Sequence, residues 1–95
     1  MEFLVEIHVR LPGDMDAARR EDLLSAELAR GRRLREDGVI RRIWRIPGAL
    51  RNVGIWSAPD AETLHAAISS LPLFPWLDAQ VTPLAQHPIE ESLDA

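Results

Sequence analysis

Hydrophobic periodicity along this chain switches between two and 3.6 in a fixed order, and that order leaves few folds open. Phe3, Val5, Ile7, Val9 and Leu11 alternate with Leu4, Glu6, His8 and Arg10, the pattern of a strand with one buried face. Pro12-Gly13 stops it. Asp16 then stands where an N-cap belongs, ahead of a helix running to about Asp37, with Gly38 as its stop. Leu24, Leu28, Gly31 and Leu34 keep helical spacing, with Leu23 beside them, and most other positions are charged. Val39 to Ile46 predicts a second strand, and Pro47-Gly48 a turn. Asn52 to Ser57 predicts a short third strand. Asp60 caps a second helix with Leu64, Ala67, Ile68 and Leu71 on its inner face, and Pro72 ends it. Asp78 to Leu84 predicts a fourth strand, and Gln86 to Ala95 a tail. The order βαββαβ is the split βαβ pattern of a ferredoxin-like α+β fold.

With 95 residues there is room for one core, so residues 1–88 are expected to form the domain and 89–95 an acidic C-terminal tail. A sheet of this type carries its helices on one face only. Asn52 and Trp56 share one face of the third strand, Val53 and Ile55 the other, so both faces carry large apolar groups. The free face therefore needs a cover, and self-association is the usual one. On the second strand, strict alternation puts Arg41, Ile43 and Arg45 on one face and Ile40, Arg42, Trp44 and Ile46 on the other.

Several functions are disfavoured by what the chain contains. It has no cysteine, which removes disulfides, thiolate nucleophiles and Cys-ligated metals together. No apolar run approaches the roughly 20 residues of a membrane span, and no secretory leader is read, so a cytoplasmic protein is expected. Eight of the eleven basic residues, all arginine, lie between Arg30 and Arg51, but the net charge of −4 opposes nucleic-acid binding. No Gly-rich phosphate loop or zinc spacing occurs, and His8, His65 and His87 lie far apart on different elements. A His-only metal site is thus unsupported by spacing.

Glu27 is the residue that stands out. It lies three residues after Leu24, four before Gly31 and seven before Leu34, on the apolar face of the first helix. A carboxylate desolvated there has a raised pKa, the state of a general base or acid working near neutrality. Gly31, one turn later, leaves room for a small ligand. The competing reading pairs Glu27 with Arg30 at i+3. Arg45, on a covered sheet face, requires an anion, either a carboxylate of a neighbouring subunit or a bound one. His65 fits a hydrogen-bonded boundary residue, and Trp44, Trp56 and Trp76 fit core or interface.

Leu11-Pro12, Asp14-Met15-Asp16, Trp44-Arg45-Ile46, Leu71-Pro72-Leu73-Phe74-Pro75 and His87-Pro88 resemble, without a gap over residues 1 to 88, the pattern of the muconolactone Δ-isomerase family. The resemblance implies a dimeric α+β barrel in which two sheets face each other, with dimers assembling into decamers. It implies a cofactor-independent enzyme of catechol catabolism, on the route to 3-oxoadipate. That enzyme shifts a double bond in (4S)-muconolactone to give 3-oxoadipate enol-lactone. By the same resemblance Glu27 is the proton shuttle, Asn52 and His65 hold the lactone or its oxyanion, and Arg45 meets the substrate carboxylate. The tail beyond His87 would reach to a neighbouring subunit.

The chain departs from that pattern at Ile40, Ala49 and Leu50, where the family carries aromatic or polar side chains, including a tyrosine in the turn. A pocket lined by these aliphatic residues would be drier or wider. Two other readings stand beside the isomerase, the first of them suited by these aliphatic residues. One is an isomerase or dehalogenase acting on a substituted muconolactone, and the other is a non-catalytic oligomeric binding protein of the same fold.

Overall fold

The computed structural model describes residues 1–93. Strand β1 (Glu2–Val9) leads into helix α1 (Ala17–Glu36), followed by β2 (Ile40–Ile46), β3 (Arg51–Ser57), α2 (Ala61–Ser69) and β4 (Leu77–Leu84). A 3-10 turn at Phe74–Trp76 precedes β4, and a short helix, α3 (Pro88–Leu93), ends the described chain. The sheet is antiparallel throughout, in the order β2-β3-β1-β4. This is the expected ferredoxin-like α+β fold.

The punctuation works as the residue types dictate. The Asp16 side chain accepts a hydrogen bond from the Arg19 N–H at 3.1 Å, which satisfies a donor that the first turn of α1 leaves unpaired. At the other end Gly38 takes φ +79°, a left-handed conformation that a Cβ disfavours. Its N–H bonds to Arg35 O, and the Val39 N–H to Leu34 O at 3.0 Å. This pair of bonds is a Schellman closure, sealed by the apolar contact of Val39 and Leu34 with the same core. Asp60 caps α2 in the same manner as Asp16, through the Thr63 N–H at 2.7 Å.

Phe3, Val5 and Ile7 alternate inward from β1 and meet Leu34, Leu64, Ile68 and Leu71 from the helical side. Trp56, directly opposite Phe3, and Ile40, opposite Trp56, extend this core towards the β2 edge. The opposite sheet face carries Leu4, Trp44, Ile46, Val53 and Ile55, away from the core formed with α1 and α2 among the described residues, and Trp44 is 47% exposed.

Three features differ from the sequence-based expectation. Strand β1 ends at Val9 rather than Leu11, and the last backbone bonds to its neighbours run from the Val9 N–H to Leu50 O and from the Arg10 N–H to Trp76 O. The register of β2 shifts between Ile40 and Arg42, so Arg41 is an extra residue. That bulge corrects the alternation: Ile40 joins Ile43 and Arg45 on the helix-covered face, while Arg42, Trp44 and Ile46 remain on the open one. Finally, part of the region expected to be a tail is helical, and the His87 ring Nδ1 accepts from the Ile89 N–H at 3.0 Å. Asp94 and Ala95, the end of the expected acidic tail, lie outside the described residues.

Candidate active site

Between α1 and the covered face of the sheet lies a cavity of about 350 Å³. Ile7, Ile40, Ile43, Asn52 and Trp56 form its floor, Glu27, Leu28, Gly31, Arg32 and Arg35 its helical wall, and Arg45 and Leu71 complete it. The bulge at Arg41 brings Ile40 and Arg45 to this cavity together. Without it one of the two would face away.

Glu27 is half-buried on the helical wall. Its Oε1 accepts a hydrogen bond from the Leu73 backbone N–H at 3.0 Å, from the loop that follows α2. That loop is the Leu71–Pro75 motif, and its prolines and 3-10 turn hold the Leu73 amide in place. The turn closes through Phe74 N–H to Leu71 O and Trp76 N–H to Leu73 O. Burial pushes the Glu27 carboxyl above the ordinary glutamate range, and the Leu73 N–H opposes this only in part. The result is a fixed carboxylate with raised basicity. Arg30 does not neutralise it, for its Nε donates instead to Ser70 Oγ at 2.9 Å. The pairing of Glu27 with Arg30 that the helix spacing permits is therefore not formed.

Arg45 lies at the mouth, exposed, with its Nη1 at 3.4 Å from Arg51 O. Arg32 and Arg35, exposed as well, line the same cavity, so three arginines border a largely apolar floor. Among the described residues none of the three is in an ion pair. This arrangement suits a small apolar ring that carries a carboxylate.

The structure brings together Glu27, Asn52 and Arg45, but not His65. His65 is exposed on α2, packs edge-on against Phe74 with ring centroids 6.0 Å apart, and does not line the cavity. Of the three aliphatic departures, Ile40 lines the cavity, while Ala49 and Leu50 sit in the β2–β3 turn outside its lining. Arg32 and Arg35 are lining residues that the sequence did not single out, and Trp56, expected as core or interface, lines the cavity as well. The arginines had a usable signal, since Arg35 lies eight residues after Glu27 and Arg32 one after Gly31 on the same helix.

Gly31 has nothing within 4 Å of the position a Cβ would take, and it borders the cavity. Gly31→Leu is therefore expected to leave the melting temperature unchanged or raised, since a mid-helix glycine costs about 1 kcal/mol relative to good helix formers. Substrate affinity should fall, because the new side chain enters the cavity. A melt combined with a KM measurement reads both effects.

A half-buried carboxylate with raised basicity, facing an apolar cavity bordered by arginines on a ferredoxin-like fold, defines a small α+β protein equipped for proton transfer on an anionic ligand. Residues 1–90 match the model of the muconolactone delta-isomerase family. The chain is 42% identical over 87 residues to muconolactone Delta-isomerase 2 of Acinetobacter lwoffii, covering 92% of this chain and 91% of the relative. It is 39% identical over 88 residues to a muconolactone Delta-isomerase of Pseudomonas aeruginosa, covering 93% and 92%. A crystal structure of muconolactone isomerase superposes with a TM-score of 0.86 at 40% identity, covering 93% of this chain and 92% of that one. A 5-chloro-2-hydroxyhydroquinone dehydrochlorinase from Burkholderia phenoliruptrix AC1100 shares the fold alone, with a TM-score of 0.68 at 19% identity. The chain belongs to the muconolactone Δ-isomerase family.

Proposed function

We propose that this protein isomerises (4S)-muconolactone to 3-oxoadipate enol-lactone, with Glu27 taking the proton from C4 and returning it to C2. The carboxylate is the observation that carries the reading, because it is desolvated, anchored by the Leu73 N–H, and set in the wall of a cavity of suitable size. No atom is gained or lost. Removal of the C4 proton gives a dienolate whose charge rests on the lactone carbonyl oxygen, and protonation at C2 restores a neutral ring. One carboxyl group serves both steps if the ring stays in place between them, and confinement by Ile7, Ile40 and Ile43 favours that. The substrate carboxylate is assigned to Arg45, with Arg32 and Arg35 lining the same cavity.

The apolar floor favours a second substrate of the same class. Ile40 adds aliphatic surface next to Ile7 and Ile43, which suits a ring bearing an apolar substituent. An ultraviolet assay of purified protein with (4S)-muconolactone, alongside a methyl-substituted muconolactone, tests both. Turnover of neither would overturn the isomerase reading.

The open sheet face is assigned to a second copy of the chain. It combines Leu4, Trp44, Ile46, Val53 and Ile55 with charges of both signs, Glu6 and Asp78 against Arg42 and Arg51, as a two-fold interface requires. Sedimentation should find at least twice the 10.7 kDa chain mass, and Trp44→Glu should shift the protein towards monomer. A monomeric wild type would rule this assembly out.

A further inference from the structure

Helix α1 is tied to the end of α2 and the loop beyond it by two hydrogen bonds. The Leu73 N–H meets Glu27 Oε1 at 3.0 Å, and the Arg30 Nε–H meets Ser70 Oγ at 2.9 Å. Two residues three apart on the helix thus meet two residues three apart beyond it, in opposite chain directions. The first bond fixes the base. The second moves no proton and touches no substrate.

Ser70 is set up to accept the second bond. It is the C-cap of α2, and its own hydroxyl proton goes to Ala67 O at 2.6 Å. A hydroxyl has one proton to give, so towards Arg30 it acts as acceptor alone. Without that acceptor the guanidinium has another partner close by. Residues at i±3 and i±4 are neighbours on a helix surface. Of those four positions around Glu27, Leu23, Leu24 and Gly31 are uncharged, and Arg30 alone carries charge. The other charged groups around the carboxylate are Arg32 and Arg35 of α1 and Arg45 of β2, while β1, β3 and the segment after α2 line the cavity with uncharged side chains. Among the described residues none of these arginines is in an ion pair with Glu27. The arginine whose spacing suits the pairing is the one that is tied elsewhere.

We propose that Ser70 is a positioning residue for the base: by holding Arg30 it keeps that guanidinium off Glu27, whose carboxylate stays free to take a proton. The inference rests on the isomerase reading and adds a residue to it. A cation beside a carboxylate favours its charged form and so makes it a weaker base. Release of Arg30 would therefore undo the raised basicity that burial gives Glu27.

The test is the pH dependence of kcat/KM, which reports the free enzyme, in Ser70→Ala, Ser70→Thr and the double variant Ser70→Ala/Arg30→Met. Ser70→Ala removes the acceptor, so the acidic midpoint should move down by about one pH unit, with kcat lowered several-fold at neutral pH. Ser70→Thr keeps the hydroxyl and should keep the wild-type midpoint. Adding Arg30→Met to Ser70→Ala removes the guanidinium and should return the midpoint to its wild-type value, which a role confined to loop shape would not do. The carboxyl 13C resonance of Glu27, assigned by its loss in Glu27→Gln, should titrate with the same pattern in the absence of substrate. An unmoved midpoint in Ser70→Ala, or equal shifts in the single and double variants, overturns the proposal while leaving the isomerase intact. If wild type does not turn over muconolactone, the isomerase reading fails, and the carboxyl titration alone upholds or overturns the hold on Arg30. Should Ser70→Ala not fold, Ser70→Gly, which suits an exposed helix end, takes its place.

Discussion

Glu27→Gln is expected to lower kcat on (4S)-muconolactone by about 10³–10⁴-fold with KM little altered, the cost of removing the group that moves the proton. Gln keeps the shape and an oxygen for the Leu73 N–H at the same position, so the cavity should persist. The wild-type pH profile should show the same group. Burial raises the Glu27 pKa, so kcat/KM should fall on acidification with a midpoint above the ordinary glutamate range. Stability should move the other way. A carboxyl whose folded pKa is raised binds its proton more tightly in the folded state. The stability this confers is complete below the unfolded pKa and is lost as pH rises through the folded one. At neutral pH Glu27→Gln should therefore melt higher than wild type, and near pH 4 the two should converge. Equal turnover by the variant would remove Glu27 from the mechanism. A lower melting point at neutral pH would mean that the carboxylate is a structural anchor and not a strained base.

Gly54→Ala is the substitution expected to damage the fold most for its size. A Cβ there would stand 2.6 Å from the backbone carbonyl oxygen of Arg42, beside the bulge in β2, and 3.4 Å from Trp56 Nε1. Backbone of a hydrogen-bonded strand yields less readily than a side chain, so β2 must shift or the ladder open. A loss of about 1–3 kcal/mol is expected. For a domain of this size each kcal/mol corresponds to a fall of about 4–8 °C in melting temperature. Because Gly54 stands between Asn52 and Trp56, which both line the cavity, activity should fall beyond what the lost stability explains. A thermal melt with a kinetic assay on the surviving folded fraction checks both parts. An unchanged melting temperature would show that the β2–β3 pairing is looser than its register implies.

Much of the architecture is legible in the residues because it depends on near neighbours. The caps at Asp16 and Asp60 and the stop at Gly38 act within a few residues, and the structure keeps all three. The place of Glu27 on the apolar face of α1 follows from helical spacing in the same way, as does the free space beside Gly31. The Leu71–Pro75 stretch marks the family, and its structural reason becomes visible only with the fold: it carries the amide that holds Glu27, from 46 residues away.

Other features depend on which distant residues meet. Pairing of Glu27 with Arg30 is allowed by spacing, but Ser70 of α2 takes the arginine. His65 is aligned with the family pattern, yet the turn of α2 faces it towards Phe74 and solvent. A single extra residue at Arg41 decides that Ile40 and Arg45 share the covered face, and period-two alternation cannot encode such a slip. Trp56 as a lining residue is likewise invisible in sequence, where tryptophan reads as core. Local preferences, written in nearest-neighbour spacing, determined the elements, their caps and the position of the carboxylate. Register and packing between elements decided the cavity, because these depend on contacts that form only when distant segments of the chain come together.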